Sequence, residues 1–447
     1  MSKHKKNGFT LVELLAVIVI LAIILVIAVP QIISTITESR KGALASSAKL
    51  IASSAESMKL SNQALGIEKY ITCEDVSKIN EEDYASCIVS FDDDGKAQVT
   101  IIGKGKFEGM GICTGTKEDA EVKSDCETDV SCFDYRTSNG RIILTGYKDT
   151  CSKDVIIPNK IDNKPVVSIE NSAFLRKQLT SVIIPNSVTT IHNWTFQENR
   201  LTSVIIPNSV RTIFANAFYN NRLTSVIIPN SVKAIGNSAF LNNQLTNVTI
   251  GNSVTTIEEG AFRNNQLESI NIPDSVTSIG IAAFMNNQLE SINIPNSVKS
   301  IGIAAFNNNK LKEEDAFIYK RNSDGTIDNT YLVSYGGAAK DIIIPNSVTT
   351  IGEKAFRYNR LTSVIIPDSV TSIGLYAFSD NQLESVTIPN SVISMGTNAF
   401  RKASSSNPNL TSIINTTGRS FYWGSIITGT SSVSAETGTY NGVNVTK

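Results

Sequence analysis

One carboxylate raises the first chemical question. From Phe9 to Val29 the chain reads FTLVELLAVIVILAIILVIAV, 21 residues in which only Thr10 and Glu13 are polar. As a helix this run is about 31 Å long, close to the hydrocarbon thickness of a bilayer. A carboxylate inside it costs about 2.5–3.5 kcal/mol on insertion scales, so a compensating positive charge is expected. The second group with chemistry is a set of six cysteines, Cys73, Cys87, Cys113, Cys126, Cys132 and Cys151, confined to one 79-residue window. In an exported segment six cysteines read as a disulfide framework, with neighbour pairing (73–87, 113–126, 132–151) the simplest of 15 connectivities. A zinc site is the rival, without a C-x-x-C pair or a nearby histidine to support it. The chain has two histidines, His4 and His192. No Ser/His/Asp set, phosphate-cradling glycine loop or metal-spaced cluster accompanies them, so neither an enzyme nor a cofactor is expected.

The charges around the apolar run give its direction. Lys3, Lys5 and Lys6 precede it, with no acid among the first eight residues. By the positive-inside rule that end stays cytoplasmic and the bulk of the chain is exported. Three readings fit: a cleaved secretory signal ending near Val26-Ile27-Ala28, a plain uncleaved anchor with Glu13 at the membrane edge, and a prepilin signal. The third uses the most residues. A short basic leader followed by G-F-T-L-V-E-L-L resembles the N-terminus of type IV pilins and pseudopilins. That resemblance implies cutting after Gly8 by a prepilin peptidase and methylation of the new terminus at Phe9. It places the family's acid on Glu13, where it meets the terminal amine of a neighbouring subunit, and a helix-kinking proline on Pro30.

Past Pro30, the apolar residues Ile33, Ile36, Leu44, Ala48, Ile51, Ala55 and Met58 recur at helical spacing, as an amphipathic helix docked on a head requires. Residues 63–152 turn β-rich, with DDDG at 92–95 read as a hairpin turn in preference to a calcium loop.

The second half repeats. LTSVIIPNSVTTIHNWTFQENR (179–200) is followed by LTSVIIPNSVRTIFANAFYNNR (201–222) and LTSVIIPNSVKAIGNSAFLNNQ (223–244), a period of 22 marked by Phe174, Phe196, Phe218, Phe240, Phe262, Phe284, Phe306, Phe356, Phe378 and Phe400. Such regularity defines a solenoid. Leu201, Val204 and Ile206 point inward and Ser203 and Ile205 outward by alternation. Pro207 ends the strand, Ala217 lets coils approach, Phe218 fills the centre, and Asn221 turns the chain while bonding the backbone. The motif L-x-x-V/I-x-I-P-x-S-V-x-x-I-G-x-x-A-F-x-x-N closely resembles the BspA-like leucine-rich repeats of bacterial and protist surfaces, over roughly 155–416. That resemblance implies adhesion to an extracellular protein or glycan.

The outward strand position reads Ile183, Ile205, Ile227, Thr249, Asn271, Asn293, then Ile343, Ile365 and Thr387. Stacked, these form an apolar–polar–apolar ladder and a candidate contact surface; isoleucine's strand preference and copying between repeats is the alternative account. The interval from Phe306 to Phe356 is 50 residues, six longer than two coils, and DAFIYKRNSDGTIDNTYLVSYGG (315–337) reads as an inserted hairpin with Asp324-Gly325 near its turn. Tyr319, Tyr331 and Tyr335 are expected to give it an aromatic surface, a binding feature or a tolerated bulge.

The expected architecture is mixed: a basic leader (1–8), a long transmembrane α-helix (9–62), a small α+β disulfide-bearing head (63–152), a β-rich leucine-rich-repeat solenoid of 22-residue repeats (153–417, with a hairpin insertion at 313–340) and a C-terminal cap (418–447) containing Trp423. The expected location is the cell membrane, single-pass, with the bulk extracellular. The expected partners are the prepilin peptidase, other pilin subunits and an extracellular ligand. With a formal net charge of −1, nucleic acid is not among them. The alternative to adhesion is a structural role as a minor pilin or pseudopilin in a pilus, secretion or DNA-uptake machine.

Overall fold

A computed structural model describes residues 11–64, 84–91, 96–103, 111–123, 127–401, 410–417, 421–422, 434–435, 438–440 and 443–446; the side chains of 11–34 lie outside the description. Gly8, Phe9, Cys73, Cys126, the DDDG turn and Trp423 therefore fall outside the described residues. The chain divides into two compact units, 1–126 and 127–447.

The first unit is one helix and one sheet. Helix α1 spans Leu11–Ala64, running unbroken through Pro30. Among the described residues no helix is long and apolar enough to cross a membrane. Strands β1 (Tyr84–Phe91), β2 (Ala97–Gly103), β3 (Gly111–Gly115) and β4 (Ala120–Lys123) form an antiparallel meander in that order. The sheet buries one stripe of α1: Leu44, Ala48, Ile51, Ala52 and Ala55 pack against Val89, Val99 and Ile101. The expected stripe holds over this stretch and fails at Ile36, 45 % exposed, because it lies more than two helical turns before the first helix residue in that core. Glu56 pins the two layers. It accepts the Ala97 N–H at 3.1 Å and the Lys117 ammonium at 2.7 Å, and that hydrogen bond to Lys117 holds its carboxyl below the usual range.

The second unit is the solenoid, and it begins earlier than the sequence boundary at 152/153. Strands β5 (Phe133–Ser138) and β6 (Arg141–Tyr147) form a hairpin whose turn, Asn139-Gly140, takes positive φ at both positions (49° and 70°), the type I′ geometry that suits two-residue loops. Strand β6 then pairs in parallel with the first coil, so the hairpin caps the open end of the core. The Cys132–Cys151 disulfide staples this cap and belongs to the solenoid unit. A boundary drawn at the last cysteine misassigned it.

Each coil contributes two short strands, and equivalent strands pair in parallel one coil apart, as Ser225–Ile228 pairs with Asn247–Ile250 and Ala234–Ile235 with Thr256–Ile257. Leucine, valine, isoleucine, alanine and phenylalanine of the motif are buried as the alternation requires. The phenylalanine rings stack along the axis, with Phe218–Phe240, Phe240–Phe262 and Phe262–Phe284 at 5.3, 5.6 and 5.5 Å.

The turn role and the hydrogen-bonding role assigned to Asn221 are divided between two residues. Asn220 takes the left-handed conformation (φ 55°), which asparagine tolerates. Asn221 is buried and works as a clamp. Its Oδ1 accepts the Leu201 N–H at 3.2 Å, while its Nδ2 donates to the carbonyls of Phe196 and Phe218 at 2.9 and 3.2 Å. Asn243, Asn265, Asn287, Asn309 and Asn381 do the same in their coils. The motif glycine is set by coil spacing, since a Cβ on Gly302 would lie 2.4 Å from the Ile281 nitrogen. His192 and Phe214 stand at that position, and their N–H···O bonds to the preceding coil lengthen to 3.3 and 3.2 Å, against 2.8 Å at Gly280 and Gly302.

The 315–337 hairpin is a second cap built into the array. Its strands are Phe317–Arg321 and Ile327–Tyr335, and the latter pairs in parallel with Thr350–Ile351 of the next coil. The aromatic trio Phe317, Tyr335 and Phe356 has centroid separations of 5.2, 6.4 and 5.4 Å, against 5.3, 6.3 and 5.2 Å for Phe133, Tyr147 and Phe174 in the first cap. The bond from Lys148 N to Cys132 O in the first cap is matched by Gly336 N to Ala316 O in the second. The core follows this division, one cluster running from Cys132 to Leu311 with Ile318 and Val333, the other from Ala316 to Ile413. At the far end Val443–Thr446 continues a coil-strand sheet and Gly438–Tyr440 closes it as an antiparallel edge.

Asn243→Ala is expected to lower unfolding free energy by about 3 kcal/mol, because three buried backbone groups lose their partner. Asn242→Gly keeps the left-handed turn at its half-buried neighbour (φ 57°), loses the bond from Asn264 Nδ2 at 2.7 Å, and should cost about 1 kcal/mol; denaturant titration of the two variants compares them. Replacing both Cys132 and Cys151, which are 19 residues apart, with alanine should cost about 3 kcal/mol in the same assay, and reductant should then have no further effect on the first cap.

Candidate functional site

The outward strand position forms the expected ladder. Ile156, Ile183 and Ile205 are successive partners in parallel register. Ile227 pairs with Thr249, Asn271 with Asn293, Ile343 with Ile365, and Thr387 with Ile414. Exposure is uneven: Ile343 and Ile365 are 66 % and 56 % exposed, whereas Ile183, Ile205 and Ile227 are half-buried. Thr249, Asn271, Asn293 and Thr387 are exposed. Two residues earlier on the same face stand Ser181, Ser203, Ser225 and Ser363, with Asp154 and Asp341 at the same position beside Ile156 and Ile343, so the isoleucines are flanked by a hydroxyl or a carboxylate. Ile156 and Ile414 extend the ladder at both ends. Their coils depart from the full motif, but V-I-I-P at 155–158 carries the same strand signal.

The tyrosines do not form a projecting aromatic surface. Tyr335 is 1 % exposed at the phenylalanine position of its coil, donating to the Ala339 carbonyl at 3.1 Å. Burial pushes its hydroxyl up to about 12. Tyr319 and Tyr331 are half-buried against the two core clusters, with Lys320 over the Tyr331 ring at 5.3 Å. The hairpin lies along the solenoid because its second strand is one of the coil's own strands. Its tip is tied down by Arg321, a buried guanidinium that donates to the carbonyls of Gly325 and Ile294 at 3.0 and 3.1 Å.

His192 stacks on Phe214 (5.3 Å, 4° between planes) and bonds the Ser168 hydroxyl at 3.1 Å, with Trp194 exposed in the same coil. His192 and Phe214 show in the sequence as departures from the motif glycine, and the stacking is what joins the two. Cys87, Cys132 and Cys151 are disulfide-bonded, and the pairing 132–151 matches the neighbour rule. Cys113 lies on β3 and Glu13 and Pro30 on α1, with side chains outside the description.

The fold thus defines a capped β-solenoid of leucine-rich repeats preceded by a helix-and-sheet unit. The BspA-type leucine-rich repeat family matches over residues 167–289, 212–316 and 327–434, more than half of the chain, and the chain belongs to it. The prokaryotic N-terminal methylation motif matches residues 3–29. Among solved structures, a leucine-rich cell surface protein from Faecalibacterium prausnitzii is 23 % identical, covering 65 % of this chain and 89 % of its own, with a TM-score of 0.45. The pneumococcal vaccine antigen PcpA is 19 % identical over 74 % of this chain and 82 % of its own (TM-score 0.44). A leucine-rich repeat protein from Eubacterium ventriosum is 21 % identical over 62 % and 74 % (TM-score 0.40). No curated protein matches the chain.

Proposed function

We propose that the chain is a cell-surface binding protein. It is processed between Gly8 and Phe9, held in the membrane by its N-terminal helix, and displays the solenoid outward to bind an extracellular protein or glycan. The observation that carries this reading is the outward ladder, above all Ile343 and Ile365, which leave two adjacent isoleucines in water on a rigid sheet. Leaving that area wet has a free-energy cost that a partner removes. The methylation motif and membership of the BspA-type repeat family support the location.

Changing Ile343 and Ile365 together to asparagine, the residue found at Asn271 and Asn293, should leave Tm within a few degrees of the parent. Binding of the full-length protein to a panel of matrix proteins and cell-surface glycans should fall at least about tenfold. Unchanged binding by the double variant removes the ladder from the mechanism.

A second reading, membership of a pilus or pseudopilus, is favoured by the other face of α1. Ile36, Ser39, Ala43, Ser46, Leu50, Ser53, Ser57 and Leu60 alternate three and four apart, all exposed and none charged. Ser46 and Ser57 donate to the carbonyls of Gly42 and Ser53, which removes their hydroxyls from the surface chemistry. Small and apolar residues at this spacing form a helix-packing seam. Glu13 supplies the charge pairing with a neighbour's terminal amine in this reading. Glu13→Ala should then retain a mature chain starting at methylated Phe9, read by N-terminal mass, and lose recovery in sheared filament fractions. Normal recovery would rule out the charge pairing.

A further inference from the structure

The turn edge of the first coils carries a second site, on residues that the strand ladder does not use. An open cleft of about 470 Å³ is lined entirely by arginine, asparagine, glutamine and glutamate side chains. Three of its residues are the arginines Arg176, Arg200 and Arg222, against one acid, Glu198. Arg176 spends its charge on Glu198 through bonds of 2.7 and 3.1 Å, and that bond holds the Glu198 carboxyl below its usual range. Arg200 and Arg222 have no such partner. Both are exposed, and neither side chain makes an ion pair or hydrogen bond among the described residues.

Their placement is unfavourable by itself. The N–H of Arg222 bonds the carbonyl of Leu201 and that of Arg200 bonds Leu179, so the two occupy the same point on consecutive rungs, roughly 5 Å apart at their roots. Like charges in register on neighbouring strands repel. The array shows the neutral solution at the same position: Gln244, Gln266 and Gln288 in the next three coils. Two adjacent departures from that glutamine, both cationic and both facing one cleft, form an anion receptor.

We propose that Arg200 and Arg222 bind the oxyanion of an acidic saccharide, a sulfate or carboxylate group carried on a sugar ring. Paired guanidinium forks match either planar carboxylate or sulfate oxygens. The rest of the lining selects a sugar over other polyanions. Gln178, Asn220 and Glu198 offer acceptors for hydroxyl groups, and no apolar or aromatic side chain lines the cleft to seat a peptide side chain or a nucleobase. The cationic row also ends after two coils, where glutamine resumes, which suits a saccharide of two or three rings better than a long polyanion.

The full-length chain in detergent is titrated calorimetrically with a sulfated heparin tetrasaccharide, an oligogalacturonate, neutral maltotetraose, polyglutamate and a single-stranded oligonucleotide. Expected is binding of one or both acidic saccharides, the two arms telling sulfate from carboxylate, with none of maltotetraose. Arg200→Gln with Arg222→Gln installs residues the array already carries, so Tm should hold or rise while acidic-saccharide affinity falls about a hundredfold. Arg211→Thr, which removes one charge from the second-strand face, should leave affinity within about twofold. The proposal is overturned by no acidic-saccharide binding, by equal binding of the double variant, by a Tm loss in that variant, by an equal loss in Arg211→Thr, or by polyglutamate or the oligonucleotide binding as tightly. None of these outcomes bears on the isoleucine ladder, none of whose residues lines the cleft.

Discussion

A 22-residue coil of two- to four-residue strands cannot hold itself closed, and the buried asparagine amide is what closes it. Asn221, Asn243 and their counterparts each satisfy one N–H and two carbonyls that the turn leaves inside the core. Those partners belong to the asparagine's own coil and to the coil before it, so closing one coil and stacking it on its neighbour are the same event. This makes the hydrophobic ladder possible. The phenylalanines can stack at 5.3–5.6 Å only if no backbone group beside them goes unpaired. It also explains why the outward residues vary freely: strand geometry is fixed from inside, and row after row of surface positions is left open to carry charge, hydroxyl or isoleucine.

A stacked array of this kind has two open ends, and each end is a row of unpaired strand edges and exposed rings. The chain meets this with hairpins. Phe133 and Tyr147 cover Phe174 at the start, and a disulfide fixes them where no coil precedes. The same aromatic arrangement recurs at Phe317 and Tyr335, inside the array, with alanine at 316 in place of Cys132. There the preceding coils already cover the hairpin: Phe306 N bonds the Ser334 hydroxyl and Leu311 N bonds the Gly336 carbonyl. A staple is useful only where one side is bare, and the cysteines follow that rule. The core accordingly falls into two clusters meeting at the second hairpin, as two capped arrays joined in series would.

The period, the inward residues and the ladder were legible because a 22-residue repeat aligns each of the ten phenylalanine-marked coils with nine others and alternation then sets each side chain's direction. What failed to show was anything fixed by contacts between different motif types. The hairpin at 315–337 interrupts the period, so its tyrosines looked like additions to the surface; pairing with Thr350–Ile351 makes it a coil and buries Tyr335. The end of the first unit was placed by cysteine position, and cysteine pattern carries no information about which sheet a strand joins. Asn220 and Asn221 are adjacent and identical, so only φ and burial distinguish the turn former from the clamp.

Near-identity of the repeats also gives the outward departures their meaning. Where a position is glutamine or glycine in most coils, the array has shown that those residues satisfy the fold. A different residue there is free of structural demand, and can even oppose it. His192 and Phe214 lengthen the bonds between coils by comparison with Gly280 and Gly302, and Arg200 and Arg222 set two cations on adjacent rungs. Isoleucine at 343 and 365 stays wet where asparagine serves at 271 and 293. For the wet isoleucines and the adjacent arginines this is a small loss of stability with no return inside the chain, whereas His192 and Phe214 recover part of theirs by stacking on each other. Selection retains such losses where something outside the chain supplies the compensating contact, so in this molecule the functional surface is the set of positions at which one coil does worse than its neighbours.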